Sequence, residues 1–114
     1  VNIESMRMAT DSRLDAVFAA LAHPARRRIL SRLARGPASV GELAKPFDMS
    51  LPAVSRHLRV LQDAGLLKRR RDWRVHKMSL DPRPLAKATK HLERYRPFWE
   101  DTLDALAEYL EGQS

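Results

Sequence analysis

Four polar side chains stand within one short stretch of the chain, and their types define the chemistry available there. Ser55, Arg56, His57 and Arg59 supply a hydroxyl, two guanidinium groups and an imidazole. Ser55 and His57 are two positions apart, so on a helix they point to different sides and cannot act as nucleophile and base. The chain also contains no cysteine and no glycine-rich phosphate loop. The stretch therefore predicts hydrogen bonding to a partner rather than catalysis by an enzyme.

The residues around this stretch predict two short helices joined by a tight turn. Apolar residues recur at helical spacing in both, namely Val40, Leu43 and Ala44, then Val54, Leu58 and Leu61. Ser39 and Glu42 have the spacing of a capping box at the start of the first helix. Ser50 can cap the second helix, and Pro52 suits its first turn. With its apolar stripe buried, the segment 51–64 predicts the recognition helix of a helix-turn-helix, which lies in the major groove of DNA.

The preceding residues predict two further helices. Residues 1–11 show no periodicity and are expected to form a flexible arm. An amphipathic helix follows, with Asp11 or Ser12 as its N-cap. A second helix begins at Pro24, and most of its arginines are expected to lie on a solvated face, because a run of charges usually means exposure.

Residues 66–80 predict a basic β-hairpin. Leu67 and Val75 lie in segments compatible with strands, and the chain is expected to reverse at Asp72 and Trp73. The hairpin carries the basic residues Lys68, Arg69, Arg70, Arg71, Arg74 and Lys77. A hairpin of this kind beside a recognition helix is a wing that can contact flanking phosphates or the minor groove. The alternative is an edge hairpin whose charges only prevent aggregation, but six charges exceed that need.

The C-terminal segment 82–112 predicts a helix that is kinked or divided by Pro97. It carries an apolar seam at three-four spacing, formed by Leu92, Tyr95, Trp99, Leu103, Leu106 and Leu110. The chain has no lysine or arginine after Arg96, so this end is expected to lie away from a polyanion. We expect the seam to pack both on the first helix and on a second subunit. The candidate dimer contacts are Leu14, Val17, Phe18, Trp99, Leu103, Leu106 and Leu110.

Length and charge limit the class of protein. The 114 residues suit a single domain, 12–112, and the net charge of +7 favours a polyanionic partner. Charge alone does not separate DNA from RNA or an anionic membrane. The start lacks the apolar region of a signal peptide, and no apolar run reaches the length of a membrane span, so we expect a cytoplasmic protein with no membrane partner. His91 with Glu93 or Glu100 is too sparse a set for a metal site, so no metal and no cofactor are expected.

The order of these elements and three local motifs resemble the ArsR/SmtB family of bacterial winged-helix repressors over residues 12–110. The motifs are "LAHPARRRIL", "SVGELA" and "SLPAVSRHLRVLQDAGLL", and the tail "HLERYRPFWEDTLDALAEYLE" is similar to the aromatic C-terminal helix of a subgroup without thiol ligands. The resemblance implies a fold that is mainly α with a small β-hairpin, and a homodimer formed through the N- and C-terminal helices. It also implies repression from an inverted-repeat operator in double-stranded DNA, with release by an effector of unknown chemistry.

Carried over by position, the resemblance implies two sets of DNA contacts. The recognition-helix set is Ser50, Leu51, Pro52, Ser55, Arg56, His57 and Arg59, and the wing set is Arg69, Arg70, Arg71 and Arg74. Ala44 and Lys45 stand where metal-sensing members have cysteines, so that thiolate site is absent. Trp73 stands where relatives usually have glycine and would be strained at a positive φ, so we expect either a reshaped wing or a ring that packs back onto a helix.

His57 keeps two interpretations at this point, contact with a base or phosphate and a hydrogen bond inside the helix-turn-helix. Two other functions also stay open beside the repressor. One is a winged-helix module that binds RNA or protein, and the other is an architectural DNA-binding protein without an effector.

Overall fold

The computed structural model describes residues 3–112, and within that range the side chains of all residues except 6–11 and 72. Its elements are α1 (Ile3–Leu21), α2 (Pro24–Leu33), β1 (Ala38–Ser39), α3 (Val40–Ala44), α4 (Leu51–Asp63), β2 (Leu67–Asp72), β3 (Val75–Leu80), α5 (Arg83–Glu93) and α6 (Arg96–Glu111). The strands form one antiparallel sheet in the order β1-β3-β2. The described chain is thus mainly helical with a small sheet, in the order of a winged helix-turn-helix. No helix among the described residues combines the length and apolar character needed to cross a membrane.

The core lies between α1, α2, α4 and the sheet. The largest side chains that are almost fully buried are Ile29, Leu43, Val54, Leu58, Leu61, Leu66 and Met78. The predicted stripe of α4 is confirmed, because Val54, Leu58 and Leu61 are each 0% exposed. Burying such aliphatic side chains stabilises the fold by about 1.5–3 kcal/mol each, so this face of α4 is held firmly against the domain.

The predicted caps of α3 and α4 are confirmed. The Ser39 hydroxyl accepts the backbone N–H of Glu42 at 3.2 Å, and the Glu42 carboxylate accepts the backbone N–H of Ser39 at 3.5 Å. The Ser50 hydroxyl accepts the N–H of Ala53 at 3.3 Å. Both helices therefore begin where their side chains satisfy backbone donors that the helix leaves free.

A Schellman motif ends α4. Gly65 has φ +78°, and its N–H donates to the carbonyl of Gln62 at 2.9 Å. The N–H of Leu66 donates to the carbonyl of Leu61, also at 2.9 Å, and both leucines are fully buried. Because β2 starts at the next residue, this motif fixes the direction of the wing relative to the helix.

The sheet contains one strand that the sequence did not predict. The pairing of β2 with β3 runs from Leu67 opposite Leu80 to Asp72 opposite Val75, and confirms the hairpin. In addition, β1 pairs with β3. A strand of two residues is too short to carry a periodic signal, which is why it was missed.

Helix α1 corrects the prediction for the N-terminus. It begins at Ile3, so Asp11 and Ser12 lie inside the helix and neither is its N-cap. Residues 3–11, predicted as an arm, continue the helix; residues 1–2 lie outside the described part. The sequence from Ile3 to Leu21 contains no glycine or proline and is rich in good helix formers, so intrinsic propensity extends the helix beyond its amphipathic part.

The C-terminal segment is divided as predicted, with α5 ending at Glu93 and α6 beginning one residue before Pro97. The start of α5 differs by one position from the expectation. Its first residue is Arg83, with Pro82 as N-cap, although the Asp81 carboxylate still accepts the N–H of Arg83 at 3.1 Å. Asp81, one residue before the N-cap position, therefore satisfies a backbone donor at the start of α5.

Candidate nucleic-acid interface

Helix α4 presents a polar face opposite its buried stripe. Ser55, Arg56 and Arg59 are all exposed, as are Leu51 and Pro52 in the first turn. Packing of the apolar stripe decides this orientation, since residues three and four apart share a side of a helix. A hydroxyl and two guanidinium groups consequently point away from the domain together.

The exposed face of α4 and the first strand of the wing enclose an open cleft of about 490 Å³. It is lined by Ser55, Arg56, Arg59, Gln62, Asp63 and Arg69. Three guanidinium groups and one carboxylate give the cleft a positive balance. Arg69 is the wing residue that joins the predicted recognition-helix set here, so helix and wing form one continuous concave surface.

The strand register divides the predicted wing residues between two faces. Arg69 pairs with the buried Met78, so it lies on the face of the hairpin that turns toward the domain. Arg70 pairs with Lys77 and lies on the opposite face. Arg71 returns to the face of Arg69 because side chains alternate along a strand. The three predicted arginines of β2 are therefore divided between the two faces of the hairpin.

The turn of the wing holds Trp73 in the strained backbone conformation. Its φ is +61°, in the left-handed region that favours glycine. Its side chain is 86% exposed, so the expectation that it packs back onto a helix is wrong. The Arg71 side chain donates from Nε to the carbonyl of Trp73 at 3.1 Å, which ties the turn to the strand.

His57 makes the internal contact that the sequence analysis left open. Its Nδ1 accepts a hydrogen bond from Arg26 Nη1 at 3.3 Å, and its ring centroid lies 4.4 Å from that of His23. The ring is half-buried. Burial, followed by the neighbouring charges of His23, Arg26 and Arg56, lowers the pKa of His57 below its ordinary value.

Arg26 was missed as a positioning residue, since most arginines of α2 were expected to be solvated. It is half-buried, and it donates to the carbonyls of Ala20 at 2.6 Å and Ala19 at 3.0 Å at the end of α1. It thereby connects α1 and α2 to His57 on α4. The partner on α4 is 31 residues away in sequence, so no local pattern could have identified it.

The base of the wing is joined to α5 through Asp81. Its carboxylate accepts from Arg83 Nε at 3.0 Å and Nη2 at 2.8 Å, and lies 3.9 Å from Lys68 Nζ. The hydrogen-bonded Arg83 guanidinium holds the pKa of the Asp81 carboxyl well below its usual range. This ionic cluster joins the start of β2 to the start of α5.

The predicted dimer residues fall into two groups. Val17 is 3% exposed inside its own chain, so its prediction as a subunit contact is corrected, whereas Leu14 and Phe18 are only half-buried. The exposed members of the seam are Leu92, Tyr95, Trp99, Leu103, Leu106 and Leu110, and Phe98 and Tyr109 join them. Every described residue from 92 onward is exposed. In the described chain the part of the seam on α6 is therefore not buried against the first helix, whereas α5 does contact that helix.

The sparse metal candidate is engaged in other contacts. Glu93 accepts from Arg96 Nε at 2.7 Å and Nη2 at 2.6 Å, which lowers the pKa of the Glu93 carboxyl. His91 lies between the rings of Phe18 and Tyr95, at centroid distances of 6.4 and 5.8 Å. Among the side chains that the structure describes, no three His, Asp or Glu residues are grouped so that they could hold a metal ion.

Comparisons with known proteins agree with this geometry. Residues 21–70 match the family model of a helix-turn-helix domain. The chain is 40% identical over 106 residues to the HTH-type transcriptional regulator Rv2034 of Mycobacterium tuberculosis, covering 93% of this chain and 96% of that protein.

Solved structures give the same result. The chain resembles an ArsR family transcriptional regulator with a TM-score of 0.73 and 40% identity, over 79% of this chain and 93% of the other. It also resembles the homodimeric winged helix-turn-helix DNA-binding domain of Mb0332 from Mycobacterium bovis, with a TM-score of 0.62 and 25% identity over 90% and 89% of the two chains.

Proposed function

Because the chain belongs to the ArsR family of helix-turn-helix transcriptional regulators, we propose that it is a homodimeric repressor that binds an inverted-repeat DNA operator. The observation that carries this proposal is the division of α4. Its apolar stripe is fully buried, while Ser55, Arg56 and Arg59 share an open basic cleft with Arg69 of the wing. A rigid helix with outward guanidinium groups suits the major groove, and a neighbouring basic strand suits the phosphates beside it.

Within this surface we assign base recognition chiefly to Arg56. A guanidinium fork matches the O6 and N7 acceptors of guanine at the same time. The further contacts proposed for α4 are Ser50, Leu51, Pro52, Ser55 and Arg59. His57 is assigned to positioning, because its Nδ1 already accepts from Arg26.

The wing residues take a different role in the proposal. Arg69, Arg70, Arg71 and Arg74 are proposed to contact phosphates, which supply affinity without sequence information. Since Arg69 and Arg70 lie on opposite faces of the hairpin, we expect them to reach phosphates on different sides of a groove.

A second copy of the chain is the proposed occupant of the exposed seam on α6. The radius of gyration is 18.7 Å, against about 13 Å for a compact chain of this length. Trp99, Leu103 and Leu106 are between 51% and 65% exposed on this extended helix, and an apolar surface of this kind marks an interaction site. The acidic residues beside it, Glu100, Asp101, Asp104, Glu108 and Glu111, keep the segment away from phosphates. Leu14 and Phe18 of α1 and Leu110 of α6 complete the proposed contact.

Repression by such a dimer requires only that it occupy DNA needed by the polymerase. An effector that releases it, of chemistry left open, is part of the proposal, and the cytoplasm is the compartment we propose. The domain is proposed to comprise residues 12–112, with the C-terminal segment 82–112 responsible for dimerisation.

Selection of bound duplexes from a random pool tests the proposal. We expect a palindrome whose half-sites lie about one helical turn apart, with two chains per duplex. Binding to structured RNA in preference to every duplex would overturn the proposal, because the deep major groove of A-form RNA does not admit a helix. A specificity ratio near one would instead favour an architectural DNA-binding protein.

Two arginine variants then separate the proposed roles on the selected duplex. Arg56→Ala should lower sequence preference by about 1 to 3 kcal/mol per subunit, whereas Arg70→Ala should weaken all duplexes alike and reduce the salt slope by about one. Equal losses on selected and random DNA for both variants would contradict this assignment.

A further inference from the structure

The wing tip exposes a large aromatic side chain that the fold does not use. Trp73 is 86% exposed and lies in the two-residue turn between β2 and β3. Within β3, Met78 is buried, and Val75 lies three residues nearer the turn, about 10 Å along the strand. Trp73 lies still nearer the wing tip than Val75, so its ring projects away from the domain.

The backbone conformation at position 73 makes tryptophan unfavourable for the stability of the fold. The φ of +61° at Trp73 is one that glycine adopts freely and that a bulky L-residue rarely adopts. A glycine here would relieve the strain and remove an exposed apolar surface. Neither stability nor solubility of this chain therefore accounts for the indole, which points to a contact outside the chain.

The surroundings of Trp73 indicate which partner the ring meets. Arg71 donates from Nε to its carbonyl at 3.1 Å, which fixes the turn from which the ring projects. Arg74 is the other residue of the turn, Arg70 lies three residues before Trp73, and both are exposed. An aromatic ring within a group of guanidinium charges is poorly matched to an apolar protein surface. It is well matched to a groove whose edges carry phosphates and whose walls are the apolar faces of sugars.

We propose that Trp73 is a DNA-contact residue that packs its ring against the deoxyribose walls of the minor groove beside each half-site. The proposal rests on the DNA binding proposed above and adds a contact that is not electrostatic. The minor groove of B-DNA is about 6 Å wide, enough to admit the ring edgewise. Apolar side chains do enter the minor groove in other proteins, where they act as wedges between base steps.

Two variants separate the ring from the backbone strain. Trp73→Gly removes both, and Trp73→Ala removes the ring but keeps a residue that disfavours positive φ. Both should bind a duplex of about 30 base pairs roughly 10- to 100-fold more weakly than the wild type, because the apolar area buried at two wings is lost. Their salt slopes should equal that of the wild type, since no phosphate contact is removed. The glycine variant should melt at the higher temperature of the two.

The matched control is Arg70→Ala, which should reduce the salt slope while keeping the ring contact. A second readout uses the wild-type chain labelled with 5-fluorotryptophan, whose two tryptophans give two fluorine resonances. Trp73→Phe assigns them. The Trp73 resonance should shift on addition of duplex, and the Trp99 resonance on α6 should not.

Three results would count against the ring contact or against the DNA binding on which it rests. Wild-type affinity in both the glycine and alanine variants, with an unmoved Trp73 resonance, overturns the ring contact while leaving DNA binding intact. A Trp73 resonance that shifts with protein concentration in the absence of DNA would assign the ring to contacts between chains and also overturn it. Failure of the wild type to bind any duplex at low salt would instead refute the function on which the contact rests.

Discussion

Replacing Arg26 with alanine tests whether a side chain from α2 sets the position of the recognition helix. The carbonyl of Ala20 would bond the N–H four residues later, but that residue is Pro24, which has none. Arg26 Nε supplies the missing donor at 2.6 Å, and Nη1 donates to His57 Nδ1 at 3.3 Å. These two part-buried bonds contribute about 1 kcal/mol each, and the exposed bond to Ala19 adds little. Arg26→Ala should therefore lower the free energy of unfolding by about 2 kcal/mol.

Urea denaturation at a fixed protein concentration measures this loss. With an m-value of about 2 kcal/mol/M, the midpoint should fall by about 1 M while m stays unchanged. Arg27→Ala is the matched control, because Arg27 also donates to an α1 carbonyl, that of Leu21 at 2.7 Å, but does so in an exposed position. The control should lose less than about 0.5 kcal/mol. Equal midpoints for the two variants would refute the role given to Arg26.

Two further predictions follow from the backbone and from His57. Gly65→Ala should destabilise the fold by about 1–2 kcal/mol, since the residue must keep φ +78°. The control is Gly41→Ala, in a helix where the added Cβ meets no atom nearer than 4.0 Å, and it should be neutral or stabilising. Equal melting temperatures for these two variants would contradict the Schellman motif. Because the pKa of His57 is lowered from 6.5 by burial and nearby positive charge, its stabilising contribution is present above pH 6.5 and lost as the pH falls below it. His57→Gln should thus flatten the decline in urea midpoint between about pH 7 and pH 5, and parallel profiles for the two proteins would contradict this.

The features that the sequence predicted correctly are those whose causes lie within a few residues. Ser39 with Glu42, and Ser50, act on backbone groups next to them, so their spacing alone identified the starts of α3 and α4. The buried stripe of α4 follows from a period of 3.6 residues. The strain at Trp73 was predictable for the same reason, since a two-residue hairpin turn favours positive φ.

The features that sequence reasoning missed depend on contacts between residues that are distant in sequence, or on helix propensity that leaves no periodic pattern. Arg26 gains its role from His57, and β1 exists only because β3 lies beside it. The start of α1 at Ile3 was missed because intrinsic propensity extends a helix without leaving a periodic pattern. Val17 looked like a subunit contact from its spacing, but spacing cannot tell which neighbour buries a residue.

The two ends of the molecule differ in how firmly they are packed, and this difference affects what sets the half-site spacing of an operator. The unit that carries Arg56 is fixed by the stripe of α4, the motif at Gly65 and the bonds of Arg26. In contrast, α6 begins after Tyr95 and leaves its whole length exposed. If a second copy covers α6, the separation of the two recognition helices depends on how the α6 seams pack and not on the base-reading unit. An effector that changes that packing would then alter half-site spacing and weaken DNA binding without contacting any residue of the cleft.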